Sequence, residues 1–229
     1  MSTIIQTKAI DIKESLSFYE KLNYKVSSVG NSNYVSDGKA TFEVNSERYA
    51  RSGIKLYRDD WTDVKGKLAE RHNLIPIENG YLLSDYSGCW IYLLEGKSDA
   101  PNEAADESFG ILGNFAGLSL ETTEMKRSTQ LWESLGFSKT MGGEEQGWIS
   151  FANADNFTIS IMKPMACPHS FYNPSVTYFN GKNNLNIIES IRQLNIPITE
   201  EIDFFNQKGI VDNIIIRDPG GFCFFIFSD

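Results

Sequence analysis

The chain has 229 residues, 41% of them apolar, and a formal charge of -9 from 21 basic and 30 acidic side chains. The acidic residues are spread along the chain rather than gathered in a tail, which suits a soluble protein and argues against nucleic acid or another polyanion as partner. No segment has the apolar length that a membrane crossing needs, and the three cysteines (Cys89, Cys167, Cys223) are odd in number and give no disulfide framework.

Met1 to Lys8 lack the basic start and apolar run of a signal peptide, so a reduced, cytoplasmic setting is expected. Thr3 to Ala9 reads as a strand, and Leu16, Tyr19 and Leu22 then recur at helical spacing over Ile12 to Leu22. Short strands follow at Lys25 to Val29, Tyr34 to Ser36 and Thr41 to Asn45, with Gly30-Asn31 and Asp37-Gly38 supplying turns. The same order then returns: a strand at Ile54 to Arg58, a helix from Trp61 to Arg71, and strands at Leu74 to Ile77, Tyr81 to Ser84 and Trp90 to Leu94.

Residues 97–109 are rich in Asp, Glu, Ala and Asn without an apolar period, and read as a linker between a first domain over 1–96 and a second over 110–229. In the second, a strand at Phe115 to Glu121 leads to a helix from Glu124 to Ser134 and strands at Phe137 to Thr140, Gly147 to Phe151 and Thr158 to Met162. A last unit has its strand at Val176 to Phe179, its helix at Leu185 to Leu194, and strands at Ile198 to Glu201, Val211 to Ile216 and Phe222 to Phe227.

The halves also share residues. Ile12 to Lys25 returns as Met125 to Ser138, with Ser15, Phe18-Tyr19, Leu22 and Asn23-Tyr24 echoed by Ser128, Leu131-Trp132, Leu135 and Gly136-Phe137. Asp85-Tyr86-Ser87-Gly88 and Asp218-Pro219-Gly220-Gly221 each introduce a large apolar run. Two echoes in the same order imply a duplication, hence four βαβββ modules in two pairs.

With Asp11, Ser15, Phe18-Tyr19 and Leu22 in one half, and Gly117-Leu118, Ser128, Trp132 and Leu135-Gly136-Phe137 in the other, the chain resembles the vicinal oxygen chelate superfamily. That superfamily includes glyoxalase, bleomycin-resistance proteins, fosfomycin-resistance enzymes and extradiol dioxygenases. The resemblance implies an α+β fold: four βαβββ modules paired into two glyoxalase-like domains, with curled mixed sheets forming clefts. Its metal-dependent members draw His, Gln or Glu ligands from first and closing strands. Those positions fall here on Ile4 and Phe115, on Ser52 or Gly53 and Ser175, and on Tyr92 and Phe225, none of them a good ligand. Both histidines lie elsewhere, His72 at a helix end and His169 in a Pro-containing loop, where surface or capping roles are expected.

Strand alternation directs Ile4, Gln6, Lys8, Trp90, Tyr92 and Leu94 to one cleft. The other receives an aromatic wall with one carboxylate, and Phe115, Ser119, Glu121, Trp148, Ser175, Thr177 and Phe225 are its candidate ligand-binding residues. Equally, these aromatics could fill a cleft that holds no ligand. No catalytic residue, metal or cofactor is assigned. Glu43 and Glu121 are the only carboxylates placed for general-base work and have no partner to tune them, Cys167 beside His169 in a loop is no catalytic dyad, and Gly142-Gly143 and Gly220-Gly221 read as turns.

The expected function is metal-free binding of a small aromatic or cationic molecule in a sheet-lined cleft. The alternatives are a metal-dependent lyase, isomerase or dioxygenase with displaced ligands, and a non-catalytic protein-interaction module. Neither nucleic acid nor membrane is an expected partner, and the resemblance is compatible with a homodimer.

Overall fold

A computed structural model describes residues 1–228. The first half holds β1 (Ser2–Lys8), α1 (Ile12–Lys21), β2 (Lys25–Val29), β3 (Ser32–Ser36), β4 (Thr41–Asn45), β5 (Gly53–Arg58), α2 (Thr62–Ala69), β6 (Ile75–Ile77), β7 (Gly80–Ser84) and β8 (Trp90–Glu95). The second holds β9 (Phe115–Glu121), α3 (Met125–Ser134), β10 (Ser138–Gly143), β11 (Trp148–Ala152), β12 (Thr158–Met162), β13 (Ser175–Phe179), α4 (Asn184–Gln193), β14 (Ile198–Ile202), β15 (Asn213–Arg217) and β16 (Cys223–Phe227). None of the described helices is long and apolar enough to cross a membrane.

Each half forms one eight-stranded mixed sheet, in the order β2-β3-β4-β1-β5-β8-β7-β6 and then β10-β11-β12-β9-β13-β16-β15-β14. The second order repeats the first strand for strand, as a duplication of paired βαβββ modules requires. One local reading is corrected. Gly142 and Gly143 are not a turn but the end of β10, paired with Ile149 and Trp148 beyond a bulge at Lys139/Met141. Gly142 sits at φ +76, and a Cβ there would lie 2.4 Å from the Trp148 carbonyl oxygen, so the glycine marks a close approach of two strands.

By compactness the chain divides differently. A first unit collects Met1–Gln6, Arg51–Asp99 and Leu118–Pro174; a second collects Thr7–Ala50, Ala100–Gly117 and the chain from Ser175 onward. The module of α1 thus shares a unit with that of α4, and the module of α2 with that of α3.

In the second unit, α1 starts at Asp11, whose side chain accepts from the N–H groups of Lys13 and Glu14, a cap whose loss typically costs about 1 kcal/mol. The buried face of α1 carries Phe18 and Tyr19 into an aromatic cluster with Tyr24, Phe42, Phe222 and Phe224, where the Phe42 and Phe224 rings stack with centroids 5.7 Å apart. In the first unit Trp61, Val64, Leu68, Leu83, Ile91 and Leu93 are buried, as are Leu131, Ile149, Phe151, Ile159 and Ile161, and the Trp132 ring packs edge-to-face on Phe137 with centroids 5.5 Å apart.

One device closes the final hairpin of every module. Asp37 accepts from the N–H groups of Lys39 and Ala40, Asp85 from Ser87 and Cys89, Asn153 from Asp155 and Phe157, and Asp218 from Phe222. A side-chain oxygen serves turn amides that have no backbone acceptor. All four residues are buried, so the second polar atom of each side chain needs its own partner.

Within the second unit these partners come from the other module. Tyr19 and Thr7 donate to Asp218 Oδ2 at 2.9 and 2.7 Å, and Tyr178 donates to Asp37 Oδ2 at 3.1 Å while accepting from Tyr24. Burial pushes both carboxyls above the usual carboxylate range and these hydrogen bonds hold them back; the three tyrosine hydroxyls are pushed up, first by burial and then by neighbouring Asp or Tyr oxygens.

Tyr178→Phe should therefore strip Asp37 of a donor and Tyr24 of its acceptor, destabilising the fold by about 1–3 kcal/mol in urea unfolding at neutral pH. An unchanged midpoint would contradict this account of the network. Asp85 gives a second prediction, with its sign set by burial, which raises the carboxyl to about 6. Between the ordinary carboxylate value and that point the folded state keeps a proton the unfolded chain has released, so stability falls as pH rises through the window and the penalty is complete above it. Asp85→Asn, which copies the residue of the third module, should lessen that fall and stabilise the neutral-pH protein by up to about 3 kcal/mol. An unchanged slope of stability against pH would contradict it.

Candidate functional site

The strand ladders decide which candidate residues meet. In the first unit, Trp148 pairs with Met162 and Met162 with Glu121, so indole, thioether and carboxylate stand in one row across β11, β12 and β9. The next row is Ser150, Ser160 and Ser119, with the hydroxyls of Ser150 and Ser160 bonded at 2.6 Å. Alternate residues on these strands, Ile149, Phe151, Ile159, Ile161, Leu118 and Leu120, are buried on the opposite face. The polar and aromatic rows therefore share the face away from that core.

Trp148 is 39% exposed, whereas Ser119 and Ser150 are buried and Glu121 and Met162 half-buried. Glu121 is held from several sides. Its backbone N–H donates to Asn173 Oδ1, its carbonyl accepts from Asn173 Nδ2, and its Oε1 accepts from the Met165 N–H at 2.7 Å. Cys167 places its Sγ 3.2 Å from Met162 Sδ, and burial, reinforced by the Glu121 carboxylate, pushes its thiol up. A thiol in that state is a poor nucleophile.

In the second unit, Ser175 pairs with Cys223, and Thr177 with Phe225, across the parallel strands β13 and β16. All four are buried, the Phe225 and Phe227 rings stack at 5.5 Å, and burial pushes the Cys223 thiol up to about 12. Phe115 belongs to the same unit. Its ring packs edge-to-face on Tyr178 at 5.7 Å, and Gly117, two residues on in the same strand, has φ +132. The expected wall thus resolves into a row containing Glu121 and Trp148, with Ser119 in the row beside it, and a second unit that holds Ser175, Thr177, Phe225 and Phe115. Alternation along β11 and β12, read from Trp148 and Met162, was enough to add Ser150 and Ser160; their pairing with Ser119 needed the register.

The first sheet has a different face. Ile4, Lys55 and Tyr92 form one row, and Gln6, Gly53 and Trp90 the next. Lys55 Nζ lies 5.7 Å from the Tyr92 ring centroid, Gln6 Nε2 donates to the Arg51 carbonyl, and Tyr92 OH accepts from the Arg51 N–H. Glu43, considered above as a base, is buried on β4 opposite Tyr34 in the second unit.

The residues at the ligand positions do not fit a metal ion. Ile4 and Tyr92 share their row with the Lys55 ammonium, which would repel a second cation, and Ser175 and Phe225 sit among an apolar ring, a hydroxyl and a protonated thiol. His72 packs on Tyr86 with ring centroids 5.1 Å apart, and burial lowers its pKa. His169 is not the surface residue expected of its loop: it is buried, with Nδ1 2.8 Å from the Ser170 carbonyl oxygen and its ring stacked on Phe171. Among the described residues, no three His, Cys, Asp or Glu side chains gather closely enough to hold one ion.

No protein-family model and no curated protein matches this sequence. Solved structures do. The 2,3-dioxygenase LapB from Pseudomonas sp. KL28 superposes with a TM-score of 0.59 at 13% identity, covering 97% of this chain and 89% of that one. The 2,2',3-trihydroxybiphenyl 1,2-dioxygenase of Sphingomonas wittichii strain RW1 gives 0.54 at 13%, covering 99% and 91%. The homoprotocatechuate 2,3-dioxygenase of Arthrobacter globiformis gives 0.55 at 11%, covering 99% and 78%. The chain shares the fold of these dioxygenases, the paired βαβββ modules of the vicinal oxygen chelate fold; at these identities the likeness is one of fold.

Because no three His, Cys, Asp or Glu side chains gather among the described residues, Fe(II), Mn(II) or Zn(II) at a hundredfold excess should leave the thermal midpoint unmoved. A saturable rise, which specific binding to the folded state would give, would contradict the reading of these positions.

Proposed function

We propose that the protein is a metal-independent binder of a small, flat organic molecule, aromatic and positively charged, and that the first-unit face of β9, β11 and β12 is where it binds. The observation that carries this reading is the row of Trp148, Met162 and Glu121. An indole offers a stacking surface and attracts a cation, a thioether adapts to ring edges, and a carboxylate supplies the counter-charge. Ser119, Ser150 and Ser160 give hydroxyls that bond to polar substituents. Held by Asn173 and Met165, Glu121 loses little freedom on binding, which favours affinity.

A second reading comes from the fold. Solved proteins of the same fold are named for the oxygenation of catechol-type rings, so this chain would cleave such a ring with a metal supplied by ligands at other positions. The convergence of donors that this chemistry requires is what the ligand positions lack.

The two readings separate in one set of titrations. A panel of aromatic cations such as acridinium and phenanthridinium dyes should include at least one that raises the thermal midpoint with dose. Trp148→Ala and Glu121→Gln should each weaken it by about tenfold, the equivalent of about 1.4 kcal/mol. Trp148 is partly exposed, and the Gln variant keeps the acceptor for Met165, so both variants should fold. Oxygen-dependent consumption of a catechol with added Fe(II), alongside no response to any aromatic cation, would replace the first reading by the second.

A further inference from the structure

Among the described residues, four buried polar side-chain atoms find no hydrogen-bond partner, and three of them, Asp85 Oδ2, Thr129 Oγ1 and Trp132 Nε1, belong to the first unit. The duplication explains where they sit. Tyr19 in α1 and Trp132 in α3 occupy the same place in the repeated helix, and Asp218 and Asp85 the same place in the closing turn. In the second unit the Tyr19 hydroxyl donates to Asp218 Oδ2 at 2.9 Å. In the first unit the tyrosine has become tryptophan, whose only donor is an N–H on the edge of a larger ring, and the direct bond is not made. The Arg127 guanidinium, 5.9 Å from the centroid of the Tyr86 ring, confirms that α3 lies against this turn, and Thr129 is one helical turn before Trp132 on the same face.

The neighbouring corner shows what a complete exchange looks like. Tyr24 and Tyr178 of the second unit correspond to Phe137 and Leu56 in the first, and Asp37 to Asn153, whose Nδ2 donates to Thr3 Oγ1 at 2.9 Å. There the donors and the charge disappear together. At Asp85 the carboxyl remains, and an unsatisfied buried carboxylate oxygen is strongly unfavourable.

We propose that this corner of the first unit is a binding site for one buried water molecule, which donates to Asp85 Oδ2 and accepts from Trp132 Nε1. The chemistry selects water. The carboxylate oxygen only accepts and the indole N–H only donates, so the bridging group must do both, as water does. A metal cation would leave the indole donor unmatched.

An atomic-resolution crystal structure of the full chain should show one ordered water within hydrogen-bonding distance of both atoms. A direct Asp85–Trp132 bond, a protein donor on Asp85 Oδ2, or no water between them would overturn the proposal. Two substitutions test it in solution: Trp132→Tyr restores the direct donor of the second unit, whereas Trp132→Phe fills the core but leaves the water and the carboxylate without the indole. The Tyr variant should melt above the Phe variant by at least about 2–4 °C. A Phe variant equal to or above the Tyr variant would overturn the assignment as well.

Discussion

A turn buried beneath a neighbouring module has backbone N–H groups that water cannot reach, and this fold meets the problem four times with the same solution. One oxygen of Asp37, Asp85, Asn153 or Asp218 serves the turn itself. The other polar atom is left facing inward, where it must be met from elsewhere or it destabilises the fold. In the second unit Tyr19, Thr7 and Tyr178 meet it across modules: each sheet is built from one half of the chain, but the donors for the Asp37 and Asp218 turns come from the other half.

The modules were legible because their signals are local. Leu16, Tyr19 and Leu22 recur at helical spacing and Asp37-Gly38 announces a reversal, so the βαβββ order can be read without knowing which strands pair. Register is not local. Nothing in the sequence near Glu121 says that it will stand in one row with Met162 and Trp148, because that depends on ladders closed between segments far apart in the chain. Parity also says nothing of the ring contacts that a side chain makes: the Phe115 ring packs edge-to-face on Tyr178. Of the four closing turns, only Asp85 and Asp218 stand in an evident Asp-x-x-Gly pattern. Asp37 was legible as a turn beside Gly38, but that it and Asn153 play the same part shows only through the amides they bind.

The same reasoning applies to function. The fold is shared with dioxygenases that are 11–13% identical over nearly the whole chain, a level at which architecture persists and the residues of a site need not. At the positions where the resemblance read from the sequence implies metal ligands, this chain has Ile4, Tyr92, Ser175 and Phe225, with Lys55 in the first of those rows. What it offers instead is a row of indole, thioether and carboxylate, a combination suited to a flat cation and not to a divalent ion.

Native mass spectrometry of the full chain, purified without chelators or added ligands, tests the central claim most directly. The account predicts a protein mass free of any stoichiometric metal, with an aromatic cation added at micromolar concentration retained by the wild type and bound about tenfold more weakly by Glu121→Gln. A divalent ion bound one to one would contradict it.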